Sequence, residues 1–593
     1  MKPLTRDPVC NLSRIRTAAV VAFFVLNLAV YLVRILSVWR YGALFCSTAV
    51  ESPMIDSVWR CMNHRPVYLW PFAFPFSLSL YNYLFYYVYA GVLRLIGAWD
   101  AGILTWGRQL TLLFALLGAI AQWRLVRALL YLRGLASTLS LCLSLGLWLC
   151  TSLVKYWALS IRPDMAAAAL VMIALWVVVR QPHPRPQPQL RFCFAWAGLL
   201  LYLAWAFKQS MVLAFAGLCL WLLLNKRWRD LTLLVATFAA LVAATLLLGT
   251  PEYRFSILIA PQMVRGFAFS LPWILRALGT GLTAVGLNLY WVAAPFVLLC
   301  PTVGAWKTKP EKGKSHPESA LYQGATFQSA GKLKTESALY HGKNLHLAEK
   351  FIRSCKKRQG TTLVVPQKQQ NNSWALAPEE ISPLREGLVR RFNSPLFTVF
   401  ALALLIGLAG MGKIGGTSNY LFEAFAAGST LLQLAVFSMP GRLVTALLLF
   451  GCIQPAVQLA GVAIGYHHPG KKDMVPIATA SEYRDAVALR NRLVNMKKPI
   501  FTTDGIFSLP WNSAENDAPA IVIDPNFQQA ARTHEQSGGV EGILQRGEIP
   551  TVMLASTDLV YLNCLHPNYR KVGESLQQGV TYIIYEFSAN PPH

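Results

Sequence analysis

Residues 17–39 read TAAVVAFFVLNLAVYLVRILSVW, twenty-three positions with one charged side chain, Arg34. At 1.5 Å per residue a helix of that length reaches about 35 Å, enough to cross a hydrocarbon core of about 30 Å. Lys2, Arg6, Arg14 and Arg16 precede it, and no small-residue cleavage site follows, so it reads as a retained first span running from cytoplasm to exterior. The run is one of several. Of 593 residues, 54% are hydrophobic and 14% charged, a composition that excludes a soluble enzyme, a secreted disulfide scaffold and a coiled coil. The 54 Lys and Arg against 28 Asp and Glu give +26, which in a membrane protein reports cytoplasmic loops rather than nucleic-acid binding. Eleven cysteines are scattered, several inside apolar runs such as Cys142, Cys150 and Cys219, with no CxxC pair to imply zinc or redox work.

Outward from the first span, residues 40–107 form a large exterior loop whose aromatic stretch Tyr68 to Tyr89 predicts interfacial helices. Apolar runs follow at about 110–130, 136–159, 165–179, 192–207, 211–224, 231–248, 282–299, 396–411, 424–439 and 443–464. The turns between them alternate between basic and non-basic, as at Arg124–Arg133, Ser160–Asp164, the Pro-rich Arg180–Pro188, Lys208–Ser210 and Lys226–Arg229. That alternation fixes the register of a polytopic α-helical membrane protein with about eleven transmembrane helices. Four regions result: a membrane module over 1–300, a polar loop over 301–392, further membrane helices over 393–465, and an exterior C-terminal domain over 466–593. The loop carries 16 Lys and Arg against 7 Asp and Glu and a degenerate repeat, Glu318-Ser-Ala-Leu-Tyr and Glu336-Ser-Ala-Leu-Tyr, and reads as disordered and cytoplasmic. The C-terminal region, with 11 Lys and Arg against 13 Asp and Glu, reads as a small α/β domain: strands at 520–524, 551–554 and 580–585, and a helix over 483–495.

Ionisable groups at the lipid boundary are the informative ones, because burying them is costly. On this topology Glu51 and Asp56 lie in the first exterior loop, Asp164 at the next exterior turn, Lys208 at the third, and Lys413 with Asn419 and Tyr420 at a later one. Carboxylates and cations gathered on one face suit a general base for an acceptor hydroxyl or amine and cations for a phosphate leaving group. Each has a plainer reading: a solvated loop carboxylate for Glu51, a helix N-cap for Asp164, a snorkelling lysine for Lys208 and an aromatic-belt pair for Asn419 and Tyr420. His64 has no second His or Cys at ligand spacing, so no structural metal is expected.

These residues resemble the GT-C superfamily of integral membrane glycosyltransferases, in the branch of bacterial lipid-linked-sugar transferases related to protein mannosyltransferases and to the aminoarabinose transferase of lipid A. The resemblance covers about residues 15–465. It is carried by Glu51 with Tyr68 seventeen positions on, by Tyr81-Asn-Tyr-Leu-Phe-Tyr-Tyr followed by Gly107-Arg108, by Arg162-Pro-Asp164, by Lys208-Gln-Ser, and by Gly415-Gly-Thr-Ser-Asn419-Tyr420. The first loop has Val50-Glu51 where relatives commonly pair Asp with Glu; the resemblance places Glu51 first as the base, while the residues themselves do not separate it from Asp56. The resemblance implies transfer of a sugar from a polyprenyl-phosphate donor to a lipid, glycan or protein acceptor at the exterior face of a bacterial inner membrane. The reaction would be an inverting single displacement, with Glu51 or Asp56 as base, Asp164 positioning, and Lys208, Arg162 and Arg265 on the departing phosphate. It implies no cofactor and leaves a divalent cation open. Two rivals stand beside it. A transporter or lipid flippase would place charges at the centres of spans and show related halves, and a scaffold would tolerate loss of Glu51, Asp56 and Asp164.

Overall fold

The computed structural model describes residues 14–45, 51–73, 75–150, 153–154, 157–179, 192–263, 279, 283, 285–299, 394–411, 418–439, 442–463, 479–513, 538–577 and 579–589. Arg265, Lys413, the 301–392 loop, the Pro-rich linker and the strand expected at 520–524 lie outside these. The helices that follow the apolar runs are α1 (Arg14–Tyr41), α4 (Ala101–Leu130), α5 (Gly134–Cys150), α6 (Asp164–Val179), α7 (Cys193–Phe207), α8 (Leu213–Leu224) and α9 (Trp228–Leu248). They continue with α10 (Leu289–Leu299), α11 (Pro395–Gly410), α12 (Phe422–Ser438) and α13 (Arg442–Ala463). By length and composition five of the described helices can cross a membrane (α1, α4, α9, α12 and α13), and six are shorter and apolar.

Small residues let these helices approach closely, as packing between apolar helices in lipid requires. Ala166 to Ala169 of α6 are buried, and a Cβ on Gly118 of α4 would fall 2.2 Å from the Trp148 ring of α5. Polar side chains join the same helices. Gln122 donates to the Ser429 hydroxyl (2.7 Å) and accepts from the Trp148 indole (2.9 Å), while Gln433 accepts from Ser140 (2.7 Å) and donates to Ser144 (2.6 Å). At one end of the bundle Arg16 donates to the carbonyls of Val436 (3.0 Å) and Met439 (2.7 Å), so the start of α1 and the last turn of α12 share a side.

The loop between the first two spans departs from its sequence reading. It contains two helices, α2 (Glu51–Met62) and α3 (Tyr83–Leu95). Of α2, every residue except Cys61 is buried, so it is an internal element rather than one lying at the lipid surface. The second span also begins earlier, at Ala101 instead of about 110, because Arg108 is neutralised by Glu51 and no longer marks a boundary with water. The third ends at Cys150 instead of 159, and a 3-10 turn over Trp157–Leu159 completes the approach to α6.

The C-terminal region folds as a four-stranded sheet: β1 (Ile500–Thr502), β2 (Thr551–Ala555), β3 (Tyr569–Gln577) and β4 (Val580–Phe587) in the order β1-β2-β4-β3. β1 runs parallel to β2 and the other pairs are antiparallel. β2 and β4 fall on expected strands, and α14 (Ala480–Val494) on the expected helix. Thr479 and Glu482 cap α14 reciprocally, the Glu482 N–H donating to the Thr479 hydroxyl (3.1 Å) and the Thr479 N–H to the Glu482 carboxylate (2.7 Å). Thr479→Ala should therefore cost about 1 kcal/mol, read as faster amide exchange over the first turns of α14. Tyr483 of α14 meets Tyr41 at the end of α1 (ring centroids 5.2 Å), so the domain sits at the same end of the bundle as the first loop.

Candidate functional site

Three buried ionic groups stand at that end. The first lies within α2, where Asp56 pairs with Arg60 one turn later and its Oδ2 also accepts from the Ser77 hydroxyl (3.4 Å). Its other oxygen, Oδ1, has no hydrogen-bond partner among the described residues. The carboxyl is 1% exposed, and burial holds it above its ordinary value against the opposing pull of Arg60, the Ser77 hydroxyl and Arg65. One oxygen of this buried carboxylate is held while the other, like Nη1 of Arg60, is buried without a partner among the described residues, an arrangement that costs free energy.

Glu51, five residues earlier, is arranged differently. Arg108 of α4 holds it bidentately, Nε to Oε1 at 3.0 Å and Nη2 to Oε2 at 2.8 Å, and the Ile161 N–H donates to Oε1 at 2.8 Å. Arg108 also donates to the carbonyls of Gly42 (2.9 Å) and Phe45 (2.6 Å). Glu51 therefore ties α2 to α4, to the end of α1 and to the turn before α6. Fork-to-fork Arg–carboxylate pairing is strong and directional, which suits holding elements in place.

The third group centres on Asp164, the first residue of α6. It accepts from Lys208 at the end of α7, from Arg162 Nε (3.2 Å) and from Asn419 Nδ2 (3.2 Å). Residues 44 and 255 positions away are thus drawn onto one carboxylate. Arg162 also donates to the Tyr81 hydroxyl (2.7 Å) and stacks on Trp157, its Cζ 3.9 Å from the ring centroid. Lys208 is 5% exposed, and Asp164 is its one hydrogen-bond acceptor among the described residues, though an ammonium carries three N–H donors. The Tyr420 ring lies 6.0 Å from its Nζ.

Asp164, Arg162, Lys208, Asn419 and Tyr420 thus meet in one cluster, with Glu51 joined to it through the Ile161 amide, while Asp56 has its own surroundings in α2. Several participants escaped the sequence reading. Ser77 and Trp157 carry no motif, Tyr81 stands in a quoted motif but without an assigned role, and Arg60 follows Asp56 by four positions without having been paired with it. Glu423, the second residue of α12 and four positions after Asn419, stands just before the apolar run read at 424–439, and its buried carboxylate accepts from the N–H groups of Leu213 (3.2 Å) and Ala214 (2.8 Å) at the start of α8. An acidic residue at the edge of an apolar span, flanked by Leu421, Phe422 and Ala424, was the available signal for it. Among the described residues no group of three or more His, Cys, Asp or Glu could hold a metal ion.

No family model matches the chain, and no curated protein matches it. Two solved structures are similar to it. One is the crystal structure of ArnT from Cupriavidus metallidurans bound to undecaprenyl phosphate, with 12% identity, covering 97% of this chain and 100% of that one, at a TM-score of 0.48. The other is the same protein in the apo state, with 12% identity, covering 97% and 99%, at a TM-score of 0.41. At that identity and those scores the likeness carries no chemistry, which is read from this chain's own side chains.

Proposed function

We infer that this protein is a membrane glycosyltransferase that moves a sugar from a polyprenyl-phosphate donor to an acceptor hydroxyl or amine at the exterior face of a bacterial inner membrane. The observation that carries the reading is Lys208: a buried ammonium, anchored by one N–H to Asp164, with donor capacity left over beside Arg162 and Tyr420. A buried cation with unused donors is costly unless an anion completes it. A lipid phosphate arriving sideways from the bilayer is an anion of that kind, and its apolar tail remains in lipid.

The chemistry follows from charge. The donor phosphodiester carries one negative charge. As the acceptor oxygen or nitrogen bonds to the anomeric carbon and the carbon–oxygen bond to phosphate breaks, polyprenyl phosphate leaves with a second. Lys208 and Arg162 stabilise that added charge, the kind of interaction that favours the transition state over the bound substrate. Asp56 takes the acceptor's proton through Oδ1, and Glu51 holds the α2–α4 junction through Arg108. Of the two carboxylates that the sequence leaves open, the bare oxygen favours Asp56. Asp164 fixes Lys208, Arg162 and Asn419 relative to one another.

Eleven crossings, with the N-terminus cytoplasmic and the C-terminal domain exterior, fit the shared side of Arg16 and the end of α12 and the meeting of Tyr41 with Tyr483. Arg265 and Lys413 remain proposed phosphate contacts on their sequence positions.

The test is transfer of radiolabelled sugar from a polyprenyl-phosphate sugar pool to endogenous acceptors in membranes containing the wild type or Lys208→Met at matched expression. Covalent transfer by the wild type, lost in Lys208→Met, is the expected outcome. Movement of the labelled lipid between leaflets without any covalent product would replace the transferase with a flippase.

A further inference from the structure

We propose that the C-terminal domain sets the position of the Asp56 carboxylate, acting through Phe76 and Ser77, so that the domain is part of the catalytic apparatus rather than an appendage. The inference rests on Asp56 as the base.

Phe76 belongs to the first loop, yet it is 5% exposed in a cluster whose other buried members all come from the C-terminal domain: Phe501, Val540, Ile543, Leu544, Ile549, Val552, Leu554 and Tyr569. The loop thus inserts one aromatic ring into the core of a sheet some 425 residues further along the chain. Its backbone is bent for the purpose. Phe76 has φ of 57°, a left-handed conformation that a bulky residue adopts only where its surroundings over-determine it, and its N–H donates to the Ala73 carbonyl (2.8 Å).

The next side chains run back into α2. Ser77 is 1% exposed and donates to Asp56 Oδ2, and Ser79 shares a hydrogen bond with Ser57 (2.8 Å) and donates to the Val67 carbonyl (2.7 Å). Along 76–79 one ring is thus held by the C-terminal domain while two hydroxyls hold the helix that carries Asp56. Ser77 and Arg60 both bond Oδ2 and leave Oδ1 without a partner among the described residues, so the grip at Phe76 bears on which oxygen is engaged. Phe76 and Ser77 are positioning residues; neither is assigned a contact with substrate.

The experiment uses the full-length protein in liposomes, with Phe76→Ala, Phe76→Leu, Ser77→Ala and the Phe76→Ala/Ser77→Ala double variant, read by steady-state transfer and by amide hydrogen exchange. Because small misplacements of a catalytic group are expensive, Phe76→Ala should lower kcat by about tenfold or more with the KM for the lipid donor unchanged. It should also speed exchange in Glu51–Met62 as well as in the C-terminal sheet. Phe76→Leu should recover most of the rate, and the double variant should be no slower than the worse single one. Exchange that changes only in the C-terminal domain, or losses that multiply in the double variant, would overturn the inference. If Asp56→Asn retains full transfer, the base assignment fails and takes the catalytic part of the inference with it; wild-type exchange of Glu51–Met62 in Phe76→Ala sinks the clamp alone.

Discussion

Asp56→Asn is expected to slow transfer by roughly 10²- to 10⁴-fold at saturating substrates, the usual contribution of a positioned general base, with the protein still folded. The amide keeps the shape of the carboxyl and can still meet Arg60 and Ser77, but it cannot take a proton. Glu51→Gln should behave in the opposite sense. It removes one charge from the buried pair with Arg108 and leaves the guanidinium uncompensated, at a cost of about 3–5 kcal/mol, read as a lower unfolding temperature in detergent. Whatever protein remains folded should transfer at a rate closer to that of the wild type than Asp56→Asn does. The pH dependence carries the same assignment. Burial lifts Asp56 above its ordinary value, with Arg60 and Arg65 the cations that oppose the shift. The base works ionised, so kcat should fall as pH drops through this raised pKa, at a higher pH than an exposed aspartate would give. Removing the Arg60 charge should move that acid limb to higher pH still. An acid limb at the ordinary aspartate value, or one unchanged in Arg60→Gln, would point to another group.

The membrane helices could be read from sequence because each is a long apolar run, and because basic residues mark one side of the bilayer at the turns. Boundaries failed where a charge is neutralised inside the protein. Arg108 looks like the edge of a span until Glu51, 57 positions earlier, is placed against it. The α2 helix failed for a related reason. Its sequence, ESPMIDSVWRCM, mixes acid, base and apolar side chains as an exposed amphipathic helix does; the local Asp56–Arg60 pair fits either setting, and it is the tertiary pairing of Glu51 with Arg108 that the sequence does not show. The strand β3, YRKVGESLQ, has few apolar positions because most of its side chains are at least partly exposed. In the site, Asp164, Lys208 and Asn419 could each be picked out as a polar residue at a lipid boundary. Their convergence could not, because nothing local links positions 44 and 255 residues apart. The plainer reading of Lys208, a snorkelling lysine, is corrected by its burial: its ammonium points to Asp164 and not to water. Glu423 was hidden by the opposite effect, one acid whose apolar neighbours make it look incidental.

Asp164→Asn is the second large effect expected, and it acts on stability and on chemistry together. Asp164 is the acceptor shared by Lys208, Arg162 and Asn419. The amide would leave two buried cations without the charge that brought them together, with the Tyr81 hydroxyl still accepting from Arg162 and the ring faces of Trp157 and Tyr420 beside them. Loss of one partner from a buried ionic cluster costs about 3–5 kcal/mol, so thermal unfolding in detergent should occur at a markedly lower temperature. A second change separates the structural from the chemical part. Lys208→Met added to Asp164→Asn removes one of the stranded cations and should return part of the lost stability, since replacing a whole buried pair by apolar side chains is often near neutral. It should return none of the transfer, because the ammonium proposed to meet the lipid phosphate is then gone. Stability and transfer recovering together in the double variant would make the cluster a structural brace alone. Recovery of stability without transfer is the outcome that the unused donors of Lys208 predict, since a brace needs its charge only for Asp164 whereas a phosphate site needs it for the substrate.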